Sequence, residues 1–411
     1  MDARSHVRDN WCAVPTIHLK PGHVQPVWAG HPWVYAQAVD RVEGGATAGD
    51  EVRVVDPRGN LLGRGFYSPN SAIVTRILSR DDKTRLDGRF FHERIGRADA
   101  WRKQCDLPSP ETNGYRLVNA EGDELPGVIV DRFGDALSIQ FTTFGMKVRE
   151  SLVLQALLDV VKPKTIVDRT TAGAAKSEGF DVAPNDGSAV LLGDEATELV
   201  FLERRLRYAI PLELGQKTGF YFDQRGLRAR VETLAKGKRV LDAYSFVGPF
   251  ALAAARGGAT EVIACDESAL ALEVAAQCAR LNGLENKTKF ERADARTVLA
   301  DAKGTFDLVL LDPPRLASNR SGRENALAQY GKIAELGCRA TKTGGFVVLS
   351  SCSAAVDMNA LARALATGAL RANRTAIIVE RHVQGPDHPV LAAHAEGLYL
   401  KSIVARVETR A

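Results

Sequence analysis

The chain has 411 residues, of which 45% are hydrophobic and 25% charged, and its formal net charge is +4. These values predict two or three globular domains whose cores need no disulfide or structural metal, and they permit nucleic-acid binding without requiring it. The six cysteines form no CxxC pair or zinc-site spacing, and no apolar stretch reaches the roughly 20 residues of a membrane span, so we expect a cytoplasmic protein without a metal or membrane partner.

Short strands and turns dominate residues 14–88, after a charged and polar tail. Residues 52–55 alternate polar and apolar side chains, and the turn-forming stretch DPRGN follows them. Residues 61–67 and 72–78 are typical of further strands. The pattern predicts a small domain resembling a β-barrel.

A second unit, with both helices and strands, is predicted for residues 89–205. Residues 89–101 place apolar side chains on one helical face, and residues 148–161 are amphipathic at helical spacing. Between them, a strand over residues 125–135 ends in Gly-Asp and is followed by a partner strand over 136–141. The pattern predicts a small central α/β domain.

Strands and helices alternate from residue 206 to residue 411. Strands are predicted at residues 239–244, 260–266, 306–312 and 345–350, with helices at 250–256 and 268–282. This alternation predicts a parallel, doubly wound sheet. Residues 375–380 and 398–407 are β-like with no long helix between them, which predicts an antiparallel end to the sheet.

The first candidate motif runs from a strand into a helix as VLDAYSFVGPF, with Asp242 at the strand end. Ligands of open α/β sheets bind at this carboxyl edge, where Asp242 can accept hydrogen bonds and Gly248 allows a close approach of the backbone. The glycine-rich dinucleotide fingerprint is missing, which favours a cofactor without phosphates. A plain core strand with a tight turn is the alternative interpretation.

Two more acidic residues are predicted to end strands of the same sheet. Asp266 comes 24 residues after Asp242 and ends the second strand, where a carboxylate can bind ribose hydroxyls. Asp294 ends the next short strand and can meet an adenine. An ordinary exposed carboxylate is the alternative in both cases.

Asp312 ends an apolar strand within the stretch LLDPPR. Proline fixes φ and stops the strand, and this ending is typical of methyltransferases that handle a flipped base. Enzymes that methylate exocyclic amines usually have an aromatic residue where this chain has Arg315, which disfavours that chemistry. A strand end without chemical consequence is the alternative.

Cys352 ends the strand after the one that carries Asp312, in the stretch SSCS. Its position at the same carboxyl edge predicts a nucleophile, provided that its pKa is lowered. The alternative is a small buried hydrophobic residue, which we expect for the other cysteines.

The stretch GQKTGFYFDQR, residues 215–225, combines glycine, polar and aromatic residues just before the sheet. It can close over the methionine end of a cofactor, or it can be a simple loop.

At these motifs the sequence resembles the bacterial 5-methylcytosine methyltransferases of large-subunit ribosomal RNA that carry an amino-terminal PUA domain. The resemblance extends to RLVNAEGD at 116–123, DHPV at 387–390 and EGLYLK at 396–401. It implies a PUA RNA-binding domain at 14–88, a central α/β domain at 89–205 and a Rossmann-like methyltransferase domain at 206–411.

The resemblance also implies the cofactor, the partner and the site residues. S-adenosylmethionine is expected near Gln216, Phe222, Asp223, Ser245, Asp266, Asp294 and Asp312, to which the motif analysis adds Asp242 and Gly248. Cys352 is expected as the nucleophile that attacks a cytosine, with Asp312 holding the base. The partner is expected to be large-subunit ribosomal RNA, and related enzymes suggest a homodimer. Phosphate contacts with the RNA are expected from basic residues of the PUA domain, for which an ordinary solvated face is the alternative: Arg53, Arg58, Arg64, Arg76 and Lys83.

Two departures and two competing functions accompany this interpretation. The family's glycine pair is Gly248-Pro249 in this chain, and Leu316 stands where the family usually has an aromatic residue after Asp-Pro-Pro-Lys/Arg. One competing function is methylation of another RNA atom, such as one of guanine, with a structural Cys352. The other is a non-catalytic RNA-binding assembly factor that retains a cofactor pocket. A nucleotide-dependent oxidoreductase is disfavoured by the missing glycine fingerprint.

Overall fold

The structure, a computed structural model, describes residues 14–182, 189–193, 197–214, 219–317 and 320–410. In these parts of the chain, no helix is long and apolar enough to cross a membrane. The described strands form three large sheets and one separate hairpin.

The amino-terminal sheet has six strands. They are β1 (Thr16–Leu19), β2 (Trp33–Tyr35), β3 (Val39–Glu43), β4 (Glu51–Val55), β5 (Leu61–Tyr67) and β6 (Ile73–Ser79), with a short helix α1 (Val24–Trp28). Their order across the sheet is β2-β6-β5-β4-β1-β3. Val52 and Val54 of β4 are fully buried while Arg53 between them is half-buried, as the alternation predicts. The predicted β domain is confirmed.

The second sheet has five strands, in the order β11-β10-β9-β8-β7. The elements are α2 (Gly88–Gln104), β7 (Gly114–Asn119), β8 (Val128–Phe133), β9 (Ala136–Phe141), α3 (Phe144–Lys147), α4 (Glu150–Val161), β10 (Thr165–Asp168), α5 (Ala172–Glu178) and β11 (Ala189–Leu192). Both predicted helices are present, and Gly134 and Asp135 form the turn between β8 and β9. Helices α2 and α4 share one apolar core with this sheet.

A hairpin of β12 (Glu198–Glu203) and β13 (Leu206–Pro211) follows the second sheet. It crosses the predicted domain boundary at residue 205, and the domain limits remain a prediction. Phe201 of β12 packs 5.3 Å from Phe133 of β8, ring centre to ring centre, in a core that continues into the third sheet. The hairpin therefore joins the central unit to the carboxyl-terminal one.

The third sheet has seven strands with helices on both faces. Its elements are α6 (Arg225–Leu234), β14 (Arg239–Ala243), α7 (Pro249–Arg256), β15 (Glu261–Asp266), α8 (Ala269–Leu281), β16 (Thr288–Arg292), α9 (Ala295–Asp301), β17 (Phe306–Leu311), α10 (Arg323–Ala340), β18 (Thr341–Ser351), α11 (Met358–Arg371), β19 (Arg374–His382) and β20 (Lys401–Thr409). The sheet order is β16-β15-β14-β17-β18-β20-β19.

The strand order gives this sheet a topological switch point between β14 and β17. The chain leaves β14 through α7 towards β15 and β16, then returns through α9 to β17 on the other side of β14. The crevice at the carboxyl ends of such a strand pair is the usual ligand site of open α/β sheets. Strand β20 runs antiparallel to both β18 and β19, so the predicted antiparallel end of the sheet is confirmed.

Several elements differ from their sequence-based limits. Helices α10 and α11 were not predicted, and β18 begins at Thr341, four residues earlier than expected. Strand β16 stops at Arg292, and Asp294 is instead the capping residue of α9, accepting a hydrogen bond from the Arg296 amide at 3.2 Å. Asp residues are favoured at this position because their side chains satisfy free amides of the first helical turn.

A buried ion pair connects the hairpin to α6. Glu203 of β12 accepts hydrogen bonds from Nε and Nη2 of Arg228 at 2.5 and 2.7 Å, and both residues are 2% exposed. The third contact of Arg228, from Nη1, goes to the backbone carbonyl of Tyr221 at 2.8 Å. This paired geometry keeps a buried guanidinium satisfied.

We expect Glu203→Gln to lower the free energy of unfolding by about 3 kcal/mol, because it leaves the buried charge of Arg228 without its counter-charge. Urea denaturation followed by far-UV circular dichroism measures the change. Glu335→Gln is the control, since it breaks the exposed pair with Arg339 and should cost less than about 1 kcal/mol. Equal losses in the two variants would contradict the structural importance of the buried pair.

Candidate functional site at the carboxyl edge of the third sheet

Three sequence-predicted residues follow or end neighbouring parallel strands. In the ladder, Ala243 of β14 is paired with Cys265 of β15 and with Leu311 of β17. The residues just before or after these positions, Asp242, Asp266 and Asp312, therefore meet at one edge. The sequence expectation that these three carboxylates share one site agrees with the placement of their strands.

The turn between β14 and α7 has an uncommon backbone conformation. Tyr244 and Phe246 have φ angles of 74° and 52°, in the left-handed region that side chains other than glycine rarely adopt. Gly248 has a φ of 72°, and a Cβ there would meet the ring of Phe290 at 3.1 Å. The glycine is thus required by its backbone angle and by packing against Phe290. Left-handed residues of this kind cluster at binding sites, where the surrounding structure holds them.

Asp242 is fully buried at the start of this turn. One carboxylate oxygen, Oδ2, accepts a hydrogen bond from the Ala251 amide at 3.0 Å, whereas Oδ1 has no partner among the described residues. The hydroxyl of Ser245, 3% exposed, likewise has none in the described part of the chain. Buried polar atoms are normally hydrogen-bonded, so these two mark a place for a ligand with hydrogen-bond donors.

Asp266 joins the turn to the end of β15. Its Oδ2 accepts from the Phe246 amide at 2.8 Å and its Oδ1 from the Ser268 amide at 2.9 Å. The side chain is half-buried, so its remaining lone pairs stay available. The carboxylate therefore fixes the turn and still presents acceptors to the edge.

The negative charges at this edge interact strongly. Burial, together with the charges of Asp312 and Asp266, raises the pKa of Asp242 to about 8. The neighbouring carboxylates give this edge a negative potential, which helps to keep Asp242 protonated at neutral pH. The same potential favours a cationic ligand.

The segment before α6 covers the same edge. Gln224 donates from Nε2 to Oδ2 of Asp312 at 2.5 Å, and Tyr399 donates its hydroxyl to Asp223 at 2.8 Å. The ring of Tyr221 lies 5.3 Å from that of Phe246. Burial, followed by the charges of Asp312 and Asp223, raises the pKa of Tyr221. Motif analysis did not single out Tyr221, Gln224 or Tyr399 as site residues, because their contacts join distant parts of the sequence.

Three other predicted residues lie elsewhere or act differently. The side chain of Phe222 is 1% exposed and packs among Phe133, Phe201 and Phe220 in the core. Asp294 is exposed at the start of α9. Gln216 lies outside the described residues.

Cys352 follows β18, beside the strand that leads to Asp312. Its side chain is half-buried, in contrast to Cys265, Cys278 and Cys338, which are fully buried. Burial raises the pKa of Cys265 and Cys338 to about 12 and that of Cys278 to about 11, so these three thiols are unreactive.

The loop that carries Cys352 is held by its neighbour Ser353. The hydroxyl of Ser353 accepts from the Ala317 amide at 3.2 Å and lies 3.3 Å from the Tyr330 hydroxyl. Its backbone carbonyl accepts from Nζ of Lys401 at 2.8 Å. These contacts fix the backbone on one side of the thiol, as an active-site residue requires.

The basic residues expected to hold RNA are partly engaged within the protein. Arg53 pairs with Asp82 through two hydrogen bonds, Arg64 pairs with Glu51, and Arg76 pairs with Glu178 and Glu121. Arg58 and Lys83 are exposed. The predicted phosphate-binding face is therefore reduced chiefly to Arg58 and Lys83, because carboxylates of the same chain compensate the other three cations.

Comparison with known families assigns both ends of the chain. The family model of the PUA-like domain matches residues 17–80. The family model of the S-adenosylmethionine-dependent methyltransferases matches residues 153–401, more than half of the chain.

Relatives of similar length support the same assignment. A protein of Shewanella denitrificans named ribosomal RNA large subunit methyltransferase I is 38% identical over 95% of this chain and 99% of its own length. A Klebsiella pneumoniae protein of the same name is 33% identical, over 96% of this chain and 98% of its own.

A solved structure shares the fold over nearly the whole chain. A Streptococcus mutans protein assigned as an S-adenosylmethionine-dependent methyltransferase superposes with a TM-score of 0.81 at 20% identity, covering 95% of this chain and 99% of its own. A solved structure with the same TM-score, identity and coverage contains S-adenosylhomocysteine. The fold therefore agrees with the family models.

Binding of S-adenosylmethionine is expected to release a proton from Asp242 at pH 7. The free group has a pKa of about 8, so it is mostly protonated, and the cationic ligand lowers this pKa and ionises the carboxyl group. Calorimetric titration in two buffers of different ionisation enthalpy counts the released protons, and we expect roughly half a proton or more per site.

The Asp242→Asn variant should bind S-adenosylmethionine without releasing a proton, because its amide side chain does not titrate. Asp301→Asn, at the exposed end of α9, is the matched control and should release protons as the wild type does. The same proton count in Asp242→Asn and in the wild type would show that another group is responsible.

Proposed function

Since the chain belongs to the S-adenosylmethionine-dependent methyltransferase family, we propose that it methylates C5 of a cytosine in large-subunit ribosomal RNA, with Cys352 as the nucleophile. The observation that carries the proposal is the half-buried side chain of Cys352, which directly follows β18 at the carboxyl edge of the sheet, next to the strand that leads to Asp312. The relatives' name supports ribosomal RNA of the large subunit as the substrate.

The cofactor fits the polar groups of the edge. Oδ1 of Asp242 and Oγ of Ser245 are buried and have no hydrogen-bond partner within the described residues. The amino group and the ribose hydroxyls of S-adenosylmethionine are donors of the kind that these atoms need. We assign Asp266 to the ribose, because it ends β15, next to the strand that carries Asp242.

The other residues that were predicted to bind the cofactor, and that the structure describes, are proposed to support the site in different ways. Gly248 supports the turn through its backbone angle, and Asp223 acts through its bond to Tyr399. Phe222 holds the segment by packing in the core. For Asp294, a contact with the adenine is compatible with its exposed capping position.

Cysteine chemistry is needed because C5 of cytosine is a weak nucleophile. The thiolate of Cys352 adds to C6, forming a carbon–sulfur bond and moving the C5–C6 electron pair so that C5 becomes nucleophilic. When bound, S-adenosylmethionine supplies the electrophilic methyl group. Loss of the C5 proton to a base then expels the thiolate and restores the aromatic ring.

Asp312 is proposed to hold the base during this reaction. Gln224 already donates to Oδ2 of Asp312, which fixes the orientation of the carboxylate. A carboxylate there can accept from the exocyclic amine of cytosine, and its protonated form can donate to N3. The target base must first be unstacked, which costs a few kcal/mol.

RNA is proposed to contact the PUA-like domain, where Arg58 and Lys83 are exposed for phosphate contacts. Since a bacterial ribosomal subunit is a cytoplasmic particle, the reaction belongs in that compartment. The homodimer suggested by related enzymes stays a prediction.

Incubation of the protein with methyl-labelled S-adenosylmethionine and unmodified large-subunit RNA should yield labelled 5-methylcytidine after digestion. Mass spectrometry of the nucleosides identifies the methylated atom. Labelled methylguanosine would contradict the cysteine mechanism, and binding of RNA without consumption of the cofactor would favour an assembly factor. Isolated subunits lacking the modification test the assembled substrate in parallel.

Cys352→Ala should bind S-adenosylhomocysteine as the wild type does and lose at least about 1,000-fold in methyl transfer, because the removed group forms the covalent adduct. Cys278→Ala, in the core of α8, is the matched control and should keep its rate in correctly folded protein. Full activity of Cys352→Ala would return Cys352 to a structural role.

A further inference from the structure

A buried lysine lies beside the loop that carries Cys352. Lys401, the first residue of β20, is paired with Ser351 in the antiparallel ladder, and it is 4% exposed. Its Nζ donates a hydrogen bond to the backbone carbonyl of Ser353 at 2.8 Å. Lys401 therefore contacts both residues that flank Cys352 in the sequence, Ser351 through the strand ladder and Ser353 through its ammonium group.

A buried ammonium needs a compensating charge, because its transfer from water is costly without one. Within the described residues, no carboxylate forms an ion pair with Lys401. Asp357 is near, but it caps α11 through the Ala360 amide and pairs with Arg323. The one carbonyl contact satisfies a single N–H of the ammonium, so its charge calls for another anionic partner.

The charged and titratable groups around Lys401 come from several elements. The pKa of Lys401 is lowered to about 8, chiefly by burial and in part by the charge of Arg315, while the charges of Cys352 and Asp357 oppose this lowering. Cys352 also interacts with the hydroxyls of Tyr330 and Tyr221.

His382, on the adjacent strand β19, pairs with Glu380 and is therefore already engaged. Two negative groups act on Lys401: Asp357, which already caps α11 and pairs with Arg323, and Cys352, which lies between Ser351 and Ser353, the two residues that Lys401 contacts. The charge of Lys401 is thus best compensated when Cys352 is a thiolate.

We propose that Lys401 is a positioning residue whose buried ammonium holds Cys352 in the thiolate form. The inference rests on the proposed function for the role of Cys352 as the nucleophile. The thiol loses its proton to solvent, the ammonium keeps its own, and the thiolate is regenerated when the product leaves. Lys401 therefore acts through Cys352 and needs no contact with the base.

This arrangement answers a chemical requirement of the proposed reaction. A free cysteine has a pKa of about 8.5, so only a few per cent of it is thiolate at pH 7. A nearby positive charge in a poorly solvated place favours the thiolate over the thiol. If the pKa of the thiol is lowered by about one unit, the thiolate fraction at pH 7 increases about tenfold.

The test is the pH dependence of alkylation of Cys352 by iodoacetamide, in folded protein without RNA or cofactor. Peptide mass spectrometry separates the Cys352 peptide from those of the other cysteines. In the wild type, we expect the midpoint of the rate profile to lie below about 8.5. Lys401→Met should react about tenfold more slowly at pH 7 and reach a similar rate at pH 10.

Two further variants separate charge from structure. Lys401→Arg keeps a positive charge and should retain most of the wild-type rate at pH 7. Lys342→Met removes an exposed lysine near the start of β18, the end of that strand that lies away from Cys352, and should match the wild type throughout. Circular dichroism and binding of S-adenosylhomocysteine verify the fold of each variant.

An unchanged profile in folded Lys401→Met would overturn the inference. So would a wild-type midpoint at or above about 8.5, which tests it even if Lys401→Met does not fold. Failure of the proposed function is distinct, because it appears in the nucleoside analysis. A Lys401-dependent profile with a product other than 5-methylcytidine would retain the lysine–thiolate pair and reject the proposed function.

Discussion

The buried contact between Arg228 and Glu203 is the constraint on which the geometry of the edge depends. Glu203 belongs to a hairpin outside the third sheet, and Arg228 belongs to the helix that enters it. The guanidinium uses two donors on the carboxylate and a third on the Tyr221 carbonyl. Because a bidentate pair is directional, it fixes the segment 220–224 relative to the strand ends as well as joining two units.

A second set of buried contacts fixes the same segment from the carboxyl-terminal side. Tyr399 and the Gly385 amide both bind Asp223, through its side chain and its backbone carbonyl. Asp387 pairs with Arg225, at the start of α6, and accepts from the Arg116 amide of the central unit. The pKa of Asp387 is lowered, since the charges of Arg225 and His388 outweigh the effect of burial. Segments more than 150 residues apart in the sequence thus meet over one strand edge.

The sequence was sufficient to predict features that follow from hydrophobic periodicity and from the order of the strands. It predicted few of the contacts between residues that are distant in the sequence. Asp242, Asp266 and Asp312 could be placed together because each lies at the end of an apolar strand, and such ends share one edge in a parallel sheet. The contact between Tyr399 and Asp223 has no local signal. Asp294 was interpreted as a strand end because capping and ligand-binding aspartates look alike in a sequence.

The electrostatic character of the edge changes from one end to the other, and this division suits the two halves of the proposed reaction. Asp266, Asp242 and Asp312 lie at the carboxyl ends of β15, β14 and β17, where negative charge favours the cationic methyl donor. Next in the sheet come β18 and β20, which bring Cys352 and the buried Lys401. A thiolate placed among the carboxylates alone would be destabilised by like charges, in the same way that the charges of Asp312 and Asp266 add to burial in raising the pKa of Asp242. A compensating cation on the β20 side is therefore what allows an anionic nucleophile to share an edge with the three carboxylates.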